Sequence, residues 1–373
     1  MTVFEARRKR LGEWMAREGV ALAVFEDFEG RRDPSLRWLS GHPGDALLFL
    51  SADNESFLVA WDFNMARVYA HVDMVIPYGQ VDRQPINALQ LAAMDFFKIP
   101  LGARIEIPAL TPYPVFLQYV EAMNNFDIIC RNNGLQETAQ QMRAVKDEEE
   151  IRIYRKAADI TNTLIDLLEE NVRSGNLKTE TDVALFIETE SRSRGADGTG
   201  FETLAAGPER SFGIHAFPSY TGGPFAGPGM SILDFGVKYS GYTTDVTLTF
   251  ARGALSNSQE RMLALTEKAY KLALSLVRDG ASAREVAAAV DALFGKSRKS
   301  MPHSLGHGIG LEAHEAPSLR SRSDNTELLK PGMIFTLEPG LYDPTHGGCR
   351  LENDIFLSES GVEVLTNARI IRL

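Results

Sequence analysis

Apolar and polar positions change rhythm along this chain. The opening stretch VFEARRKRLGEWMAREGVALAVF carries charges every few residues, with Leu11, Trp14 and Met15 on one stripe and Gly19 where a helix would stop. It predicts an amphipathic helix, not a signal peptide or a membrane span. Short apolar runs bounded by Gly, Pro, Asn and Asp follow: ALAVFED, DALLFLS, SFLVAW, VDMVIPY, RIEIPAL and FDIICR. Their length predicts strands, and INALQLAAMDFFK and TPYPVFLQYVEAMN between them have helical periodicity. Strands alternating with helices imply a mixed α/β domain over residues 1–135.

A second domain, 136–373, is expected from the change that follows. QETAQQMRAVKDEEEIRIYRKAADITNTLIDLLEENVRSG is charged on one face and lacks Pro and Gly until its end, which predicts one long helix. Three further helices are expected at TETDVALFIETESRSRG, SNSQERMLALTEKAYKLALSLVRDG and SAREVAAAVDALFGKS. Their N-caps would be Thr179 or Thr181, Ser256 or Ser258, and Ser282. Strand-rich blocks holding most of the Gly and Pro lie between and after them. A length of 373 residues agrees with two cores.

Composition narrows the class. A net charge of −11 leaves no basic footprint, so neither nucleic acid nor an anionic membrane is expected as a partner. The two cysteines, Cys130 and Cys349, stand far apart in no metal or redox spacing, and a cytoplasmic setting is expected.

The chemistry begins with misplaced carboxylates. Ser231–Val237 and Tyr242–Phe250 predict a hairpin in which Asp234 and Asp245 both fall inside strands. Aspartate suits a strand interior poorly and is costly to bury unless its charge is compensated. One Asp could simply pair with Lys238 or cap a turn. Against that, Glu338 ends an apolar run in GMIFTLEPGLY and Glu352 precedes another in GCRLENDIFLS. In addition, PHSLGHGIGLEAHE packs three of the seven histidines, His303, His307 and His314, into a glycine-rich segment unsuited to an ordinary helix. Four carboxylates with an imidazole suit Mn²⁺, Zn²⁺, Co²⁺ or Fe²⁺. They exceed the three protein ligands of a lone catalytic zinc and fit two divalent ions about 3.5–4 Å apart.

The order Asp234, Asp245, His307, Glu338, Glu352, in the contexts LDFG, TTDVT, GHGIGLEAHE, TLEPGLY and CRLENDI, resembles the pita-bread metallopeptidases. That group comprises methionine aminopeptidase, Xaa-Pro aminopeptidase, prolidase and their relative creatinase. The likeness runs from about residue 140 to the end. The preceding domain resembles the creatinase-like N-terminal domain of the Xaa-Pro branch. The resemblance implies an α/β creatinase-like domain followed by an α+β pita-bread catalytic domain.

It further implies two divalent metal ions (Mn, Co, Zn or Fe). Asp234 would be a terminal ligand of one, Asp245 and Glu352 the bridges, and His307 with Glu338 the completion of the other. Glu338 would also shuttle the proton of an attacking hydroxide held between the ions. His215 and His314 would contact substrate and aid catalysis, while His303, Arg320 and Arg350 are candidate substrate-binding residues. His42, His71 and His346 match no family context and are expected to be surface or loop residues. The implied reaction is hydrolysis of the amide bond before proline in a peptide, by a homodimeric Xaa-Pro aminopeptidase or dipeptidase. The alternative is a non-peptidase amidohydrolase of a small solute. A catalytically dead scaffold on the same fold is disfavoured by the complete ligand set.

Departures fall on the specificity residues. Ser318 stands where some prolidases carry a carboxylate-binding Arg, with Arg320 two positions on as a possible substitute. Leu248 replaces a common Arg, Asn353 follows Glu352 where Asp is usual, and AAGPERSFGIH is one residue longer than the family's segment and lacks its usual Asn.

Overall fold

The computed structural model describes residues 1–373, which divide into two compact units, Met1–Arg143 and Ala144–Leu373. The expected division after residue 135 moves. The helix Leu135–Arg143 buries Leu135 and Ala139 and packs on helices of the first unit.

The first unit is built as the pattern predicts. Its helix Val3–Glu18 starts at a Thr2–Glu5 capping box and stops at Gly19, whose φ of 68° suits a residue without a Cβ. All six predicted strands form, in a mixed sheet ordered Met74–Pro77, Ser56–Ala60, Ala46–Ser51, Val20–Asp27, Arg104–Glu106, Asp127–Ile129. The inner runs are buried along their whole length, which explains why they read as continuous apolar segments. His42 is in a loop, as expected, but is fully buried instead of lying at the surface. His71 is exposed and stacks on Phe4 at 4.6 Å.

The anticipated single helix is two, one ending the first unit and one opening the second. Leu135–Arg143 ends before the second begins at Glu148, because Asp147 caps the new helix in a box with Glu150. Val145 in the gap bridges to Met333, and Lys146 forms a buried ion pair with Glu315 at 3.2 Å. These long-range partners leave no mark on local periodicity.

Two sheets carry this unit. One is ordered Ile370–Arg372, Val246–Arg252, Gly229–Phe235, Leu204–Ala206. The helices Glu148–Ser174 and Glu180–Ser193 supply Leu164, Leu168, Val183 and Ile187 to the core on it. The other is ordered Glu315–Leu319, Gly306–Gly308, Ile334–Leu337, Asn353–Ser358, Gly361–Val364, and shares a core with the helices Asn257–Leu276 and Ala283–Lys296. The sheets meet where Thr247 bridges Glu352. Both cysteines are free, and no helix is long and apolar enough to cross a membrane.

Candidate metal centre

The seam between those two sheets gathers all the anomalous carboxylates. The predicted hairpin forms with a break: Gly229–Phe235 pairs with Val246–Arg252, Asp234 lying opposite Thr247, while Val237–Tyr239 pairs separately with Tyr242–Thr243. Asp245 therefore sits in the break just before its strand, not inside it. Its backbone N–H donates to the fully buried Asp354 carboxylate at 3.2 Å. On the other sheet Leu337 pairs with Asn353, so Glu338 and Glu352 are the next residues outward on facing strands. Two glycines admit His307 between its neighbours. A Cβ at Gly306 or Gly308 would stand 2.1 Å from the Thr336 carbonyl oxygen or 1.9 Å from that of Ala316.

Ligand atoms of Asp245, His307 and Glu352 all lie within 4.8 Å of one another. His307 Nδ1 faces the Gly308 carbonyl oxygen at 3.1 Å and carries the ring proton. The lone pair is thus on Nε2, which looks at Asp245 Oδ2 and Glu338 Oε1 at 3.7 and 3.5 Å. Burial, and then His314 nearby, push the His307 pKa down to about 3, so the imidazole is neutral at neutral pH. Burial raises Asp245 and Glu338 well above the usual carboxylate range, with Glu352 the largest neighbouring charge on each. Glu352 itself is raised to about 7 by burial and then by Asp234.

Lone pairs directed at lone pairs, among carboxylates that resist ionisation together, are the electrostatics of a cation site. Asp234 Oδ1 strengthens the case: it is buried without a hydrogen-bond partner. The residues present therefore fit divalent metal ions, with Asp234, Asp245, His307, Glu338 and Glu352 as the groups that would hold them.

A cavity of about 360 Å³ lies against this cluster. All five ligand candidates line it, as do His215, His303, His314 and Arg350. The His314 ring is 4.1 Å from that of His307. His303 Nδ1 faces the Ser304 carbonyl at 2.8 Å, leaving Nε2 to accept from the Tyr342 hydroxyl at 2.9 Å. Burial, then the nearby Arg350 charge, lower His303 to about 4.

Two expected substrate contacts change. Arg320 does not line the cavity. It is exposed, one residue beyond the strand Glu315–Leu319, and only its carbonyl is engaged, by Asn325. Arg350 lines the cavity but its guanidinium is committed to protein: Nη1 to Tyr342 Oη and the Ile214 carbonyl, Nε to Thr247 Oγ1, Nη2 to Asp234. Its contacts brace Asp234, a candidate ligand. Tyr342, Asp354, Phe201 and Glu202 escaped the sequence reading. Tyr342 alone left a usable signal, since strand alternation turns it to the face opposite Leu341 and Asp343.

A neutral imidazole stands with two buried carboxylates, Asp245 and Glu352, and two partly buried ones, Asp234 and Glu338, at the seam of two sheets, a donor set suited to divalent cations. Residues 152–359 match metallopeptidase family M24, and the chain belongs to that family and has its pita-bread fold. It is 26% identical to a Xaa-Pro dipeptidase of Pyrococcus horikoshii over 98% of both chains. An X-Pro aminopeptidase from Thermotoga maritima, also 26% identical, superposes with a TM-score of 0.84 over 98% of this chain and 99% of its own. A peptidase of Bacillus subtilis described as uncharacterized is 28% identical over 90% of this chain and 91% of its own.

Proposed function

We propose that this protein is a dinuclear-metal peptidase that hydrolyses the bond before proline and prefers peptides longer than two residues, as an Xaa-Pro aminopeptidase. The observation that carries the reading is the convergence of five ligand candidates with His215 and His314 on one cavity. The names of the relatives support an Xaa-Pro substrate, and Phe201, Leu204, Ile214 and Ala216 give the cavity apolar surface suited to a pyrrolidine ring.

When bound, two divalent ions at this centre supply a water of lowered pKa and polarise the substrate carbonyl. The remaining work belongs to side chains. Glu338, which lines the cavity, accepts at a carboxylate oxygen the proton that leaves water and passes it to the leaving nitrogen. His314, lowered by burial and therefore neutral, donates an N–H to charge developing on the carbonyl oxygen.

The preference for longer peptides follows from Arg350. It is the one permanent cation lining the cavity, and four of its five N–H donors are already taken by protein groups. A dipeptide's free carboxylate would therefore enter a cavity that offers it no cationic side chain not already engaged with protein groups. Metal-stripped protein resupplied with Mn²⁺, Co²⁺ or Zn²⁺ is tested on Ala-Pro, Ala-Pro-Ala and Ala-Ala-Ala. Metal-dependent cleavage of Ala-Pro-Ala, exceeding Ala-Pro by roughly tenfold in kcat/KM, is expected, a difference of about 1.4 kcal/mol. Preference for Ala-Pro makes the protein a dipeptidase. Silence on both proline peptides with metals bound sinks the Xaa-Pro reading.

A further inference from the structure

A second, larger cavity of about 560 Å³ shares no lining residue with the metal centre. Three pieces of the second unit form it: one face of the helix Asn257–Leu276, the segment just past the helix Ala283–Lys296, and the hairpin of Gly340–Asp343 with Gly347–Arg350. Its floor is apolar, built from Met262, Leu265 and Leu341, which belong to or pack on the core behind. Its rim is basic. Arg261 and Lys268 come from the helix, Lys299 from beyond the second helix, and His346 from the hairpin tip.

The charges do not cancel locally. Arg261 and Lys268 are exposed and make no hydrogen bond or ion pair, while Glu260 on the same helix is turned to Arg372 at 2.8 and 3.0 Å. Asp343 is the one acid lining the cavity. Its Oδ1 accepts the Thr345 and His346 backbone N–H groups at 2.9 and 3.2 Å, and its Oδ2 is 3.6 Å from Lys299. In a chain of net charge −11, this concentration of unpaired cations over an apolar floor runs against the general surface. Scattered surface lysines are merely solvated; cations converging on a concave apolar surface of this volume match the anatomy of a small-molecule site.

We propose that this cavity is a second binding site, for a small amphipathic anion: a carboxylate or phosphate monoester carried on an apolar body of phenylalkyl size. Arg261 and Lys268 bind the anionic head and Met262, Leu265 and Leu341 receive the body. The occupant lies behind the strand that carries Tyr342, because alternation sends Leu341 and Asp343 to this cavity and Tyr342 to Arg350 and His303.

Titration calorimetry on the metal-loaded full chain tests this with four probes: 4-phenylbutyrate, phenyl phosphate, inorganic phosphate and 4-phenylbutan-1-ol. The expected result is saturable binding of one or both aromatic anions, at least about tenfold tighter than phosphate or the alcohol. Which anion binds tighter tells a carboxylate ligand from a phosphate ester. Arg261→Ala/Lys268→Ala, both exposed positions, weakens that binding about tenfold or more, and His307→Ala leaves it unchanged. The proposal is overturned by absence of binding, by inorganic phosphate binding as tightly, or by full affinity in the double variant. Loss of binding in His307→Ala also overturns it, because the probe is then on the metal centre.

Discussion

Arg350 Nη2 lies 2.5 Å from Asp234 Oδ2, and the guanidinium that makes this contact is almost wholly buried. Nε donates to Thr247 Oγ1 at 2.8 Å, and that hydroxyl donates onward to Glu352 Oε2 at 2.6 Å. One side chain thus braces two candidate ligand carboxylates, from both sheets, and leaves Asp234 Oδ1 without a hydrogen-bond partner. Lysine supplies the charge without the planar fork. Arg350→Lys is therefore expected to lose roughly 10–100-fold in metal affinity and in kcat/KM, as for other groups that orient ligands. Chelator competition and steady-state kinetics read the two separately, and retention of both within twofold would show that the fork is dispensable.

Asp245 carries an electrostatic contradiction in the metal-free protein. Burial, then Glu352, Asp234, Asp354 and Glu338, raise its pKa well above the ordinary value. The sign follows: a carboxyl raised on folding costs stability once pH passes its unfolded value, so at about pH 8 the cost is present. Asp245→Asn removes that cost. The metal-free variant should melt above the metal-free parent, by about 2–4 °C for each kcal/mol recovered. The same variant should gain less from added metal and lose turnover. Calorimetry with and without metal checks the reversal, and equal melting of the two metal-free proteins counts against it.

Asp234 was legible as a candidate ligand because strand interiors reject aspartate, so an acid there announces a compensating charge, whereas Asp245 lies in the break just before its strand. Strands of the first unit were legible for the simpler reason that buried runs are short and apolar. The break at residues 144–147 was not, since Val145 answers to Met333 and Lys146 to Glu315, the latter 169 positions away. Arg320 misled through proximity in sequence: it follows the strand end and turns to solvent, so a two-residue offset from Ser318 says nothing about reach. His346 offered no motif, yet the hairpin tip brings it to a cavity lined by helix cations.

Metal affinity should fall steeply on mild acidification. Glu352 is raised to about 7 by burial and then by the Asp234 charge, so below that pH it holds a proton that an incoming cation must displace. His307, lowered to about 3, presents its Nε2 lone pair at any pH above about 5 and adds nothing to the dependence. Apparent affinity is expected to drop about tenfold per pH unit for each proton displaced as pH goes from about 7 to about 5.5. A flat affinity profile by chelator competition would falsify the assignment of Glu352 as a ligand that must ionise.

The ion pair between Lys146 and Glu315 makes a last, separable prediction. The two side chains are 1% and 3% exposed, and Glu315 also accepts the Glu312 backbone N–H at 3.1 Å. Glu315 thereby pins the turn that presents His314 to the cavity. Lys146→Met removes the ammonium from beside a buried carboxylate and should cost about 3–5 kcal/mol in denaturant unfolding. Adding Glu315→Gln should return much of that loss, because a neutral amide does not require the ammonium. Turnover need not return with it. If the pair does no more than offset charge, kcat in the double variant recovers along with stability. If it positions His314, stability recovers while kcat stays depressed and the metal affinity remains that of the parent.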